Sequence, residues 1–146
     1  MRLYTIGFTK KTAKQFFDLL KAKNIDLLLD IRLNNKTQLA GFTKGDDLAY
    51  FLSQICNCEY RHLVGFAPTK ELLDNYKNKK ISWTTYEEIY DKLLAERGED
   101  TDFAKNYRGY KNVVLLCSEP TAEKCHRRLL AEKIVKLNPE ISLTHI

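Results

Sequence analysis

Apolar residues are distributed along this chain in two alternating rhythms. Short apolar runs stand at 3–8, 25–32, 58–63, 113–117 and 141–146. Between them apolar positions return every three or four residues, the spacing of a helix face. The runs IDLLLDIR at 25–32 and VVLLC at 113–117 are nearly continuous, as expected of strands covered on both sides. After the first strand, Phe16, Phe17, Leu19 and Leu20 mark a helix to about residue 22, with Thr9 or Thr12 as its cap and Asn24 as its end. Leu48, Phe51, Leu52 and Ile55 mark a second helix that Asp46 or Asp47 starts. Pro68 and Thr69 open a third over 69–77. Tyr86, Ile89, Tyr90, Leu93 and Leu94 lie on a fourth, from Thr84 or Thr85 to Arg97, closed by Gly98. Phe103, Tyr107 and Tyr110 predict a further helical stretch within 99–111. Thr121 predicts the cap of a last helix, with Leu130, Ile134 and Leu137 on its apolar face.

Strands alternating with helices predict an α/β fold, a single domain over residues 1–146 with a mainly parallel, Rossmann-like sheet of about five strands flanked by helices. Right-handed crossovers bring the ends of the first, second and fourth strands, at Gly7, Arg32 and Cys117, to one edge of the sheet. The carboxyl edge of such a sheet is where ligands bind. The polar segment 33–47, rich in amides and glycine, reads as a long loop at that edge, and loops of this length in compact domains are commonly functional.

Composition changes this picture little. With 146 residues, 44% apolar and 29% charged, the chain has the makeup of an ordinary globular domain. Lys and Arg outnumber Asp and Glu by 24 to 19, which favours acidic partners without demanding one. No apolar run approaches the roughly 20 residues that span a bilayer, so the expectation is a cytoplasmic protein with no membrane partner and reduced thiols.

The chemistry concentrates in 113–128, VVLLCSEPTAEKCHRR. On the expected helix His126 and Arg127 flank the apolar centre line. A buried guanidinium needs a counter-charge, and Glu119, Asp30 or a bound anion are the candidates. The spacing C-x7-C-H lacks the close pair of a structural zinc site, and a helical wheel sets Cys125 and His126 about 100° apart, so no metal and no cofactor are expected. Cys117, at a strand end before a helix, is placed like the cysteine of rhodanese or cysteine-phosphatase loops, which the stretch resembles, as DIR resembles the rhodanese DVR. Ten residues to Arg127 and no glycine-rich cradle separate it from a phosphate loop. Buried structural cysteines are the plainer reading. In the loop, Asn34, Asn35, Thr37 and Gln38 are suited to polar ligands.

These residues yield a site built from Arg32, Asn34, Asn35, Gln38 and Arg127 as ligand-binding groups, with Glu119, His126 and Cys117 as candidate catalytic groups. Arg32 and Arg127 would clamp phosphate, and Glu119 and His126 would move protons. The expected partner is an anionic small molecule or a nucleic acid. A cysteine-dependent enzyme using Cys117 and a non-catalytic interaction protein are the alternatives.

The motifs TIGFT at 5–9, LLLDIR at 27–32, YRHL at 60–63, LLCSE at 115–119, CHRR at 125–128 and THI at the end resemble the domain-of-unknown-function family numbered 488. The loop LNN-x-x-QLAGF-x-K at 33–44 and APTKELL at 67–73 are similar to one subgroup of it. The resemblance implies a compact α/β fold in which Asp30, Arg32, Cys117, Glu119, Cys125, His126 and Arg127 match the family motifs. It implies no particular reaction. Many members carry TIGHS where this chain has Phe8 and Thr9, so no histidine role transfers there.

Overall fold

The structure is a computed structural model that describes residues 1–37 and 39–146. Five strands, β1 (Arg2–Gly7), β2 (Leu27–Asp30), β3 (Glu59–His62), β4 (Asn112–Cys117) and β5 (Ser142–His145), form one sheet in the order β3-β2-β4-β1-β5. Every neighbouring pair is parallel. The register sets Gly7 opposite Cys117 and Asp30 opposite Leu116. The ends of β1, β2 and β4 therefore share the carboxyl edge, as the crossover rule requires.

Alternate residues of the central strands feed two cores. On one face Tyr4, Ile6, Leu28, Val114 and Leu116 pack under α1 (Ala13–Ala22) and α2 (Gly45–Phe51). On the other, Leu3, Leu27, Leu29, Val113 and Leu115 pack under α3 (Lys70–Lys77), α4 (Trp83–Arg97), the short α5 (Phe103–Asn106) and α6 (His126–Leu137). No helix among the described residues is long and apolar enough to cross a membrane.

Local chemistry explains most of the boundaries. Thr12 and Gln15 form a reciprocal capping box on α1. Thr69 caps α3, and Gly98 closes α4 in the left-handed conformation at φ 70°. Ser82 caps α4, two residues before Thr84 and three before Thr85, where the sequence predicts the start. Asp46 and Asp47 sit inside the first turn of α2 rather than before it, where their charges face the helix dipole. The stretch 99–111 supplies only α5.

The largest departure follows β4. Thr121 does not cap α6; the helix starts at His126, with Cys125 as its capping residue and no side-chain cap. The intervening residues are held across the end of β1 instead. Thr9 N–H donates to the Ser118 carbonyl (3.1 Å) and Arg127 donates to the Glu119 carbonyl (2.5 Å). Gly7 makes this crossing possible, because a Cβ there would land on the Glu119 carbonyl oxygen and lie 2.8 Å from the Arg127 Nη1.

Two stability effects follow. Gly7→Ala will cost about 1–3 kcal/mol in urea unfolding through overpacking against the 118–125 loop. Asp30→Asn, which keeps the shape of a fully buried carboxylate but strips its charge from Arg32, will cost about 3–5 kcal/mol by the same measurement.

Candidate functional site

The tripeptide Asp30–Ile31–Arg32 at the end of β2 organises one wall. The Asp30 carboxylate receives the Arg32 guanidinium in a bidentate pair (Nε 2.8 Å, Nη2 2.6 Å) and the Tyr60 hydroxyl (2.7 Å). The second face of that guanidinium donates to the Thr43 carbonyl (2.7 Å), tying down the turn Gly41–Thr43. Asn35 donates to the Tyr60 oxygen (3.0 Å), so the loop, β3 and β2 are joined through one carboxylate. The Ile31 carbonyl lies 3.0 Å from His126 Nε2 and the Arg32 carbonyl 2.7 Å from His62 Nε2. A carbonyl can only accept, so His126 carries its proton on Nε2 there and leaves Nδ1 as a lone pair in the neutral ring.

Against this wall stand Cys117, at the last position of β4, and Cys125, at the foot of α6. Their sulfurs and a ring nitrogen of His126 lie within 4.8 Å of one another, all three residues buried. The Cys117 thiol is held below the ordinary thiol range. The hydrogen bond from Cys125 does most of this, and the Ser118 N–H and the Arg127 charge assist, against the opposing effects of burial and of Asp30. Cys125 is pushed up by the same hydrogen bond, by burial and by the negative charge on Cys117. The two sulfurs are thus driven apart, Cys117 downward and Cys125 upward.

Arg127 adds a positive charge close to the two thiols. Its guanidinium is fully buried, and its partners are neutral: the Glu119 carbonyl and Cys125 Sγ at 3.6 Å. Its Nε–H has no partner among the described residues. The expected carboxylate is not supplied, since Asp30 is committed to Arg32 and only the backbone of Glu119 reaches Arg127. An unpaired buried cation costs several kcal/mol, and its charge favours the anionic form of the Cys117 sulfur.

The donor set also bears on metals. Cys125 precedes the helix, so helical spacing does not separate it from His126. The three side chains do converge and supply a Cys2His set. Yet Cys117 Sγ is 3.6 Å from both ring nitrogens, so it faces the imidazole ring rather than the lone pair of either nitrogen. Holding a metal would require the ring to turn.

All three residues floor a cavity of about 530 Å³ at the carboxyl edge, within the range of small-molecule sites. Tyr76, Trp83 and Tyr86 form one wall, their rings packed together with Trp83 stacked on Tyr86 at 4.9 Å. Leu33, Leu39 and Leu73 add apolar surface, and the exposed Lys70 and Lys124 stand at the rim. A second cavity of about 420 Å³ between α4 and α6 has lysines and carboxylates at its edge but neither thiol nor imidazole.

The expected residues thus divide. Cys117, Glu119, His126, Arg32 and Asn34 line the cavity. Arg127 lies behind its floor, and Asn35 is spent on Tyr60. Gln38 lies outside the described residues. Both arginines give their forks to the protein's own groups, which positions the site rather than presenting phosphate clamps. Sequence reasoning set Cys125 aside as structural, although its adjacency to His126 was visible. It gave no reason to single out Lys70 or Lys124, which only the fold brings to the rim.

A family model described as "Domain of unknown function DUF488" matches residues 12–134. No curated protein and no solved structure matches the chain. The matched span contains Asp30, Arg32, Tyr60, Cys117, Glu119, Cys125, His126 and Arg127, the residues from which the carboxyl-edge site is assembled. The chain belongs to the DUF488 family.

Proposed function

We propose that this protein is a thiol-dependent enzyme in which Cys117 is the nucleophile and the carboxyl-edge cavity receives an anionic small molecule. The observation that carries this reading is the surround of Cys117, a donor from Cys125, the Ser118 N–H and an otherwise uncompensated Arg127 charge, at the floor of a cavity. Thiolates rather than thiols are the reactive species, and such surroundings favour them. His126, with Nδ1 free, is positioned to take up or return a proton, and Glu119 stands on the cavity wall as a second proton carrier. The apolar and aromatic walls suit a ligand with an apolar or ring-bearing body. Lys70 and Lys124 at the rim suit its negative charge.

A phosphatase-like use of the same cysteine is disfavoured by two observations. The 118–125 loop has no glycine with which to cradle phosphate, and Arg127 is turned onto the Glu119 carbonyl. A nucleotide as ligand is favoured specifically by the Tyr76–Trp83–Tyr86 wall, against which a base can pack.

Alkylation with iodoacetamide, mapped by mass spectrometry, tests the nucleophile. An unperturbed thiol near 8.5 loses about tenfold in rate for each pH unit below that value. Because Cys117 is lowered, its thiolate persists further down, and its rate will begin to fall only as the pH drops through its own pKa. Cys58, pushed up to about 12 by burial, will stay unmodified at neutral pH and serves as the internal control. Alkylation of Cys117 no faster than in the unfolded chain overturns the reading. So does protection of Cys117 that only a chelator lifts, which would mark a metal centre.

Trp83 is the chain's one tryptophan and stands in the cavity wall, so its fluorescence reports occupancy. Titration with adenosine and guanosine monophosphates will quench it saturably, and more weakly in high salt. A Lys70→Ala, Lys124→Ala double variant will bind about tenfold less tightly, the loss of roughly 1.4 kcal/mol of rim attraction. Unchanged fluorescence up to millimolar nucleotide would exclude this ligand class.

A further inference from the structure

We infer that Cys125 is the resolving partner of Cys117, and that the two thiols exchange with the disulfide bond of an anionic small molecule, passing through a Cys117–Cys125 disulfide. The inference rests on the reading of Cys117 as nucleophile and names the electrophile that it attacks. An acyl or phosphoryl acceptor gives a second thiol beside the nucleophile nothing to do. A sulfur electrophile does, because the mixed disulfide formed in the first step is released by a neighbouring thiol.

Several observations place Cys125 for that step. Its sulfur is within 4.8 Å of Cys117 Sγ, and both residues line the same cavity. It stands before the first residue of α6 in extended backbone at φ −137° and ψ 139°, and its side chain performs no capping. As the capping residue it stands at the positive end of the α6 dipole, and the Arg127 Nη1 donates to its sulfur from 3.6 Å. Both favour negative charge on Cys125 at the moment it must act. Cys56 and Cys58, on the far side of the sheet among the α1 and α2 residues, share none of this.

The Cys117 thiolate attacks one sulfur of R–S–S–R, forming Cys117–S–S–R and expelling RS⁻. Cys125 passes its proton to His126 Nδ1, the imidazole being held through Nε2 on the Ile31 carbonyl. The Cys125 thiolate then attacks Cys117 Sγ, the Cys117–Cys125 bond forms, and the second RS⁻ leaves and recovers the proton from His126. Two protein thiols are oxidised and one substrate disulfide is reduced to two thiols. A small-molecule dithiol reverses both bonds and restores the reduced pair.

Oxidised glutathione, an anionic disulfide, is the probe, with intact-mass and peptide mapping as the readout, in a Cys56→Ser background that removes the half-exposed thiol. The parent will lose the mass of two hydrogens at Cys117 and Cys125 and hold no glutathione. Cys125→Ser and Cys125→Ala will each keep one glutathionyl group on Cys117, with a lifetime at least tenfold longer than any adduct on the parent. Cys117→Ser will acquire neither modification. Circular dichroism matching the parent qualifies each variant, and the two Cys125 replacements guard against a defect of either one. If Cys117 is alkylated rapidly but the parent and the Cys125 variants retain the adduct equally, the resolving role is overturned while the nucleophile stands. If Cys117 is alkylated rapidly yet takes no glutathione in any variant, the disulfide substrate class is overturned. Slow alkylation removes both readings together.

Discussion

The Asp30 carboxylate is the constraint on which the site depends. It has no exposure to water and cannot remain charged there without partners, so it gathers them: both nitrogens of the Arg32 fork and the Tyr60 hydroxyl. Each partner brings a different element. Arg32 holds the Gly41–Thr43 turn, Tyr60 holds β3 and the Asn35 loop, and the adjacent Ile31 carbonyl holds His126 of α6. A buried ion pair of this kind adds little net stability over an apolar replacement, but breaking it from one side is expensive. Its consequence here is geometric: it fixes where the imidazole stands and which nitrogen carries the proton.

A second buried charge completes the site from the opposite side. Arg127 is surrounded by neutral acceptors, its Nε–H has no partner among the described residues, and its charge favours an anion at Cys117. The two arginines therefore act differently although both are inaccessible. Arg32 closes its account with Asp30 and is electrostatically quiet, whereas Arg127 leaves a positive field over the two thiols. That field helps to lower the Cys117 thiol. Gly7 belongs to the same arrangement, since only a residue without Cβ lets the Glu119 carbonyl approach Arg127 across β1.

The α/β architecture, the five strands and the common edge of Gly7, Arg32 and Cys117 were legible because strands buried on both faces write continuous apolar runs and parallel crossovers have one hand. The caps at Thr12 and Thr69 and the stop at Gly98 were legible because they depend on a few adjacent residues. The start of α6 was not. Thr121 is a sound cap in isolation, yet hydrogen bonds from Thr9 and Arg127 to the 118–119 carbonyls hold the loop across β1 and postpone the helix by four residues.

That displacement changed the chemistry read from the motif. With Cys125 on a helix the wheel separates it from His126; with Cys125 before the helix, both side chains turn to Cys117. Sequence by itself determined that a thiol, an imidazole and guanidinium groups meet at one edge of a parallel sheet, since topology alone brings them there. Only the tertiary structure decided which arginine pairs with Asp30, which lies against a cysteine sulfur, and which two cysteines stand together. Those outcomes depend on contacts between residues up to 95 positions apart, such as Ile31 with His126, and on burial that no local pattern encodes.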